Sequence, residues 1–289
     1  MVDTTHKPTA WVLAGGGSFG AIQVGMLRAL VAHGLLPDLV VGSSVGAING
    51  AYFAGAPNAA GIAQLEALWC GLHRSTVFPI AWRSMLGLGA GGGFAVDPKG
   101  LRGLLEQCLP YQALEQACVP VHVVATDQLG GGTVAVSGGP AVDAVLASCA
   151  IPAVFPPVRI GERFLVDGAI ASNTPISVAV ELGARRVIVL PTGFACALDA
   201  PPRGAIANAL HAVTLLIAHQ LATEFERYHT QAEIIMVPPL CPLTASPYDF
   251  SQAGELIRRA AEQTQRWLDH DGLTREQVPP ALLAHSHNH

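Results

Sequence analysis

The sequence predicts an α/β fold, a mostly parallel sheet covered by helices on both faces. Short apolar runs of strand length alternate with helix-period stripes, the pattern of a parallel sheet with crossover helices. Two of those runs end directly in glycine clusters that open the next helix. The 289 residues are 51% hydrophobic and 13% charged, with mean hydropathy +0.41. Such a chain can bury a large core and is not disordered.

The first run, Ala10-Trp11-Val12-Leu13-Ala14, meets a glycine cluster and then a stripe at Phe19, Ile22, Met26 and Leu30, stopped by Gly34. Leu39-Val40-Val41 is the next buried strand, followed by a small-residue helix to about Ala54. Residues 119–125 and 133–136 read as strands. The runs 158–160 and 163–166 flank Gly161 and Glu162 as a hairpin. Residues 186–190 and 234–237 supply two more strands. Helices are expected near 206–228, with a stripe through Leu210, Val213, Ile217, Leu221 and Phe225, and near 251–269. With no repeat and no linker, residues 1–289 read as one domain. Residues 75–97 fit poorly. Their bulky apolar side chains surround Gly89–Gly93, and the segment reads either as a buried connection or as a lid over an apolar cleft.

Net charge is −5 and no run of Lys or Arg occurs, so nucleic acid is not an expected partner. The six cysteines show no C-x-x-C spacing and read as buried thiols, with no metal site among them. The N-terminus has no apolar signal core. Three stretches, 9–27, 39–65 and 204–223, carry no Asp, Glu, Lys or Arg. Glycine clusters break the first two, and Asn208, His211, His219 and Gln220 make the third costly in hydrocarbon. All three are expected as interior elements of a soluble, cytoplasmic protein, with transient contact to a membrane surface left open.

Gly42-Ser43-Ser44-Val45-Gly46 is a G-x-S-x-G sequence between a strand and a small-residue helix. That context predicts a strained elbow presenting Ser44 at a helix N-terminus, with Gly42 and Gly46 permitting close packing. Gly15-Gly16-Gly17-Ser18-Phe19-Gly20 fits the dinucleotide fingerprint G-x-G-x-x-G literally. That reading wants an acid at the end of the second strand, whereas Asp38 precedes it. The same loop can aim backbone N–H groups at an oxyanion. His211, His219 and His229 fall on or beside the long helix and read as helix-face residues. Asp167-Gly168-Ala169, after a hairpin strand, is the better proton acceptor for a serine.

These motifs in this order closely resemble the patatin-like phospholipase family. Further resemblance lies in Ala125-Thr126-Asp127, in Ser148-Cys149-Ala150-Ile151-Pro152 through Pro157, and in Ser172-Asn173-Thr174-Pro175. The resemblance spans about residues 11–182, with 183–289 completing the same domain. It implies a three-layer α/β/α fold and hydrolysis of lipid acyl esters without cofactor or metal. It implies Ser44 as nucleophile, Asp167 as proton acceptor, and Gly15, Gly16 and Gly17 as the oxyanion loop, supported by Gly20 and Gly168. Two departures stand out. Phe19 replaces an Arg or Lys that many members carry, and Ser172-Asn173-Thr174-Pro175 stands where Asn-Asn-Pro is common. The missing cation makes a lipid acyl hydrolase, rather than a phospholipase in particular, the expectation. A dinucleotide-binding protein and a catalytically silent lipid-binding module are the alternatives.

Overall fold

A computed structural model of the chain describes residues 7–73, 97–193, 205–243, 249–275, 278, 279 and 282. Eight strands form one sheet among these residues: β1 (Thr9–Leu13), β2 (Leu39–Ser43), β3 (Val121–Asp127), β4 (Thr133–Val136), β5 (Val158–Ile160), β6 (Arg163–Asp167), β7 (Arg186–Leu190) and β8 (Glu233–Met236). Their order is β5-β6-β3-β2-β1-β7-β8, with β4 also pairing β3. The run β3-β2-β1-β7-β8 is parallel throughout. The flank made by β4, β5 and β6 is antiparallel.

β1 is apolar along its whole length because both of its faces are covered. Trp11 and Leu13 enter one buried cluster, Ala10 and Val12 the other. The first cluster is closed by α1 (Gly20–Ala32), α2 (Val45–Gly55), α3 (Ala59–Gly71), α4 (Lys99–Cys108), α5 (Ala141–Ser148) and, late in the chain, α9 (Ala253–Asp269). The second is closed by α7 (Ile176–Glu181) and α8 (Ala205–Tyr228). A single short helix, α6 (Ala169–Ser172), follows β6. The result is the expected three-layer arrangement, with its antiparallel flank as an addition.

One edge of β3 decides where the site forms. Val124 pairs with Ser43 of β2, and the next residue, Ala125, pairs with Asp167 of β6. β4 occupies the opposite edge at both positions. The parallel β2 and the antiparallel β6 therefore share one edge and meet with their carboxyl ends facing each other.

Several expectations need correction. α3, α4 and α5 were not anticipated. Of the five described cysteines only Cys149 is buried, while Cys70 and Cys118 are exposed. The third uncharged stretch is not interior throughout, since Leu215 and Leu216 of α8 are 43% and 64% exposed. No helix among the described residues is long and apolar enough to cross a membrane.

Candidate active site

Ser44 stands between β2 and α2 at φ 53° and ψ −125°, a region that a non-glycine residue occupies only when its surroundings impose it. Those surroundings are visible. The Ser44 N–H donates to Ser148 Oγ at 2.8 Å, and Ser148 Oγ donates in turn to the Val124 carbonyl. Close packing excludes larger residues on either side. A Cβ on Gly42 would meet the Gly46 carbonyl and lie 2.8 Å from Ala47 Cα. One on Gly46 would meet the Leu13 carbonyl and lie 2.7 Å from that of Ala14.

The Ser44 hydroxyl donates to Asp167 Oδ2 at 2.9 Å. The other carboxylate oxygen, Oδ1, accepts the Ala169 N–H at 2.8 Å, which fixes the rotamer. Asp167 is 3% exposed. Burial pushes its pKa from 3.8 up to about 6, opposed by the bonds from Ala169 and Ser44. Gly168 lies close against β3, since a Cβ would run into the Val124 carbonyl.

The glycine loop lies beside the serine, a Cβ on Gly15 falling only 3.1 Å from Ser44 Cβ. Its hydrogen bonds distinguish the three glycines. Gly15 donates its N–H to the Asn173 carbonyl at 3.1 Å. The N–H groups of Gly16 and Gly17 meet no acceptor among the described residues. A buried amide network steadies both ends of the loop. Gln23 Nε2 donates to the Ala14 and Leu190 carbonyls, and Asn49 Nδ2 donates to the Gly20 carbonyl and to Gln23 Oε1. Trp69 Nε1 closes it on Asn49 Oδ1 at 2.9 Å.

Ser44 and Gly17 open into an apolar cavity. Val45, Ile48 and Tyr52 form one wall along α2, and Trp69, Leu101 and Leu105 stand among the others. Phe19 is buried in the core at 1% exposure, so it neither lines the mouth nor replaces the absent cation. The segment 75–97 lies, apart from Asp97, outside the described residues.

The competing residues are elsewhere. Asp38 precedes β2, at the amino edge of the sheet, and its Oδ2 accepts the Thr9 N–H at 2.7 Å. It is thus at the opposite end of β1 from the glycine loop and cannot hold a ribose there. His211 and His219 lie within α8. His229 follows that helix, stacked on Phe225 at 5.6 Å in the layer away from the cavity.

Residues 11–180, a stretch holding Ser44, Asp167 and the loop, match the family model described as patatin-like phospholipase. The chain belongs to the patatin-like phospholipase family. It is 28% identical over 191 residues to the patatin-like phospholipase domain-containing protein 7 of Rattus norvegicus, covering 65% of this chain and 14% of the relative. It is 32% identical over 169 residues to an uncharacterized NTE family protein of Mycobacterium bovis, covering 58% and 44%. The chain thus spans about a seventh of the first relative's length and less than half of the second's. Among solved structures it is similar to VipD from Legionella pneumophila, with TM-score 0.49 and 16% identity over 92% of this chain and 67% of that one. Human GIVD cytosolic phospholipase A2 follows at TM-score 0.47 and 14% identity, over 96% and 59%.

Three features of this patatin-like site escaped the sequence. Ser148 stood in a recognisable flank, but its grip on the elbow depends on α5 packing beside β3. The Gln23, Asn49 and Trp69 network joins three helices and leaves no local pattern. Thr192, two residues past β7, bonds the Gly15 carbonyl at 2.7 Å and carries no motif at all.

Proposed function

We propose that the protein is a serine hydrolase that cleaves acyl esters of lipids. The observation that carries this reading is the 2.9 Å bond from an elbow serine to a buried carboxylate at the mouth of an apolar cavity. Asp167 takes the Ser44 proton as Oγ attacks the ester carbonyl. The tetrahedral oxyanion forms beside the Gly16 and Gly17 N–H groups and the N-terminus of α2, whose dipole favours negative charge. Collapse expels the alcohol, which leaves with the proton from Asp167. A water then attacks the acyl-enzyme with Asp167 again as base, releasing the fatty acid and restoring Ser44. A carboxylate held near pH 6 is ionised at neutral pH yet more basic than an exposed one, which suits it to this task. The acyl chain occupies the cavity along Ile48 and Tyr52.

The test is labelling with a fluorophosphonate probe and mapping of the modified peptide, expected at Ser44. Ser44→Ala should abolish ester hydrolysis. Ser43→Ala should keep most of it, because Ser43 is fully buried and its hydroxyl has no partner among the described residues. An active Ser44→Ala enzyme would refute the mechanism, and a folded wild type that binds lipid without turnover would leave a silent binding module.

A further inference from the structure

The Gly15 carbonyl is held by two side chains. Thr192 Oγ1 donates to it at 2.7 Å, and Asn173 Nδ2 approaches at 3.4 Å. The Gly15 C=O and the Gly16 N–H belong to one peptide unit, which is planar and trans, so the two groups point in opposite directions. Whatever holds the carbonyl therefore aims the amide. We propose that Thr192 is a positioning residue that aims the Gly16 N–H at the oxyanion, an inference that rests on the acyl-hydrolase reading above.

Four observations converge on this role. Thr192 is 3% exposed, so its hydroxyl is shielded from bulk solvent. It reaches the loop because β7 lies against β1 in register Leu13 with Leu190, and the Ala14 N–H continues that pairing onto the Leu190 carbonyl at 3.2 Å. A Cβ on Gly16 would strike the Thr192 side chain, so the two residues are in direct contact. Gly15 also donates its own N–H to Asn173, which anchors the preceding peptide unit, so the Gly15–Gly16 unit is held from a fixed neighbour as well as by Thr192. Thr192 lies beyond residues 11–180, in a part of the chain that the family match does not reach.

The experiment compares Thr192→Val, which keeps the shape and deletes the donor, with Thr192→Ser, which keeps the donor. Removing a whole oxyanion donor costs about 10²–10³-fold in kcat. A donor left in place but poorly aimed should cost about 10- to 100-fold, with KM within about twofold. A trifluoromethyl ketone bearing the substrate's acyl chain adds to the serine as an oxyanion. Its affinity for Thr192→Val should fall by the same factor as kcat/KM, while Thr192→Ser stays within about twofold of wild type in both. A merely structural role would lower the melting temperature without linking turnover to ketone affinity. Thr192→Ala deletes the donor without adding bulk and provides the same test should the valine variant not fold. Wild-type kcat in a donor-less variant, or lost kcat with unchanged ketone affinity, overturns the proposal. Ser44→Ala assayed alongside separates the two levels. If it is inactive while Thr192→Val is unimpaired, only the positioning role fails. If it is active, the hydrolase reading fails and takes this inference with it.

Discussion

The Asp167 carboxyl, with a pKa pushed from 3.8 to about 6 by burial, makes opposite demands on activity and stability. In the proposed role of proton acceptor it must be ionised, so kcat/KM should climb as pH rises through about 6 and level off above it. Stability runs the other way. The folded state holds this proton more tightly than the unfolded chain, so the stabilisation is complete below about pH 4 and is lost as pH rises through 6. The difference between 3.8 and about 6 corresponds to about 3 kcal/mol. Asp167→Asn should therefore lose turnover by several orders of magnitude yet melt higher than wild type at pH 8, with the gap closing toward pH 4. A variant that melts lower at pH 8 would show that the carboxylate is not strained by burial. Ser44 and Asp167 were legible as residues because each sits in a short local pattern. The bond from the Gly15 N–H to Asn173 was not legible, because its partner lies 158 residues away.

Helix packing supplies the next test. α1 and α9 make the most extensive contact between helices, and Gly25 sits at the crossing. A Cβ there would meet the Ile257 carbonyl and lie 2.8 Å from both Ala260 Cβ and Ala261 N. In an exposed helix, Gly→Ala adds about 1 kcal/mol of stability. Against backbone that cannot yield, overpacking costs about 1–3 kcal/mol. Contact should win, so Gly25→Ala is expected to lower the thermal midpoint by several degrees. A rise would mean that the helices can part by a few tenths of an ångström at little cost. The sequence placed β1, β2, β7 and α9 well, since each is a long or strongly apolar run between clear stops. α3, α4 and α5 were missed: α5 is only eight residues, and α4 fully buries Leu101 and Leu105 alone.

On the scale of the whole molecule, β7 lies inside the sheet between β1 and β8, although residues 11–180 carry the family match. A chain cut after Leu182 would leave β1 as an open edge and strip α9 from α1. We expect that fragment to be insoluble or to show no cooperative melting. A soluble, active 1–182 fragment would overturn the one-domain organisation proposed for 1–289. The antiparallel course of β6 could not be read from the sequence, because a hairpin pattern does not say which strand receives it. That course matters for more than shape. Ser44 and Asp167 are 123 residues apart, yet they are joined through adjacent rungs of β3. Neither β2 nor β6 can place its residue until both have docked on the same edge. Pairings of such long sequence separation form slowly, since chain closure must precede any gain from contact. On refolding from denaturant, hydrolysis should therefore return with the slowest phase of sheet formation and never ahead of it. A newly made chain would pass through its collapsed stages with an inert serine, and Ser44 and Asp167 would meet only at completion.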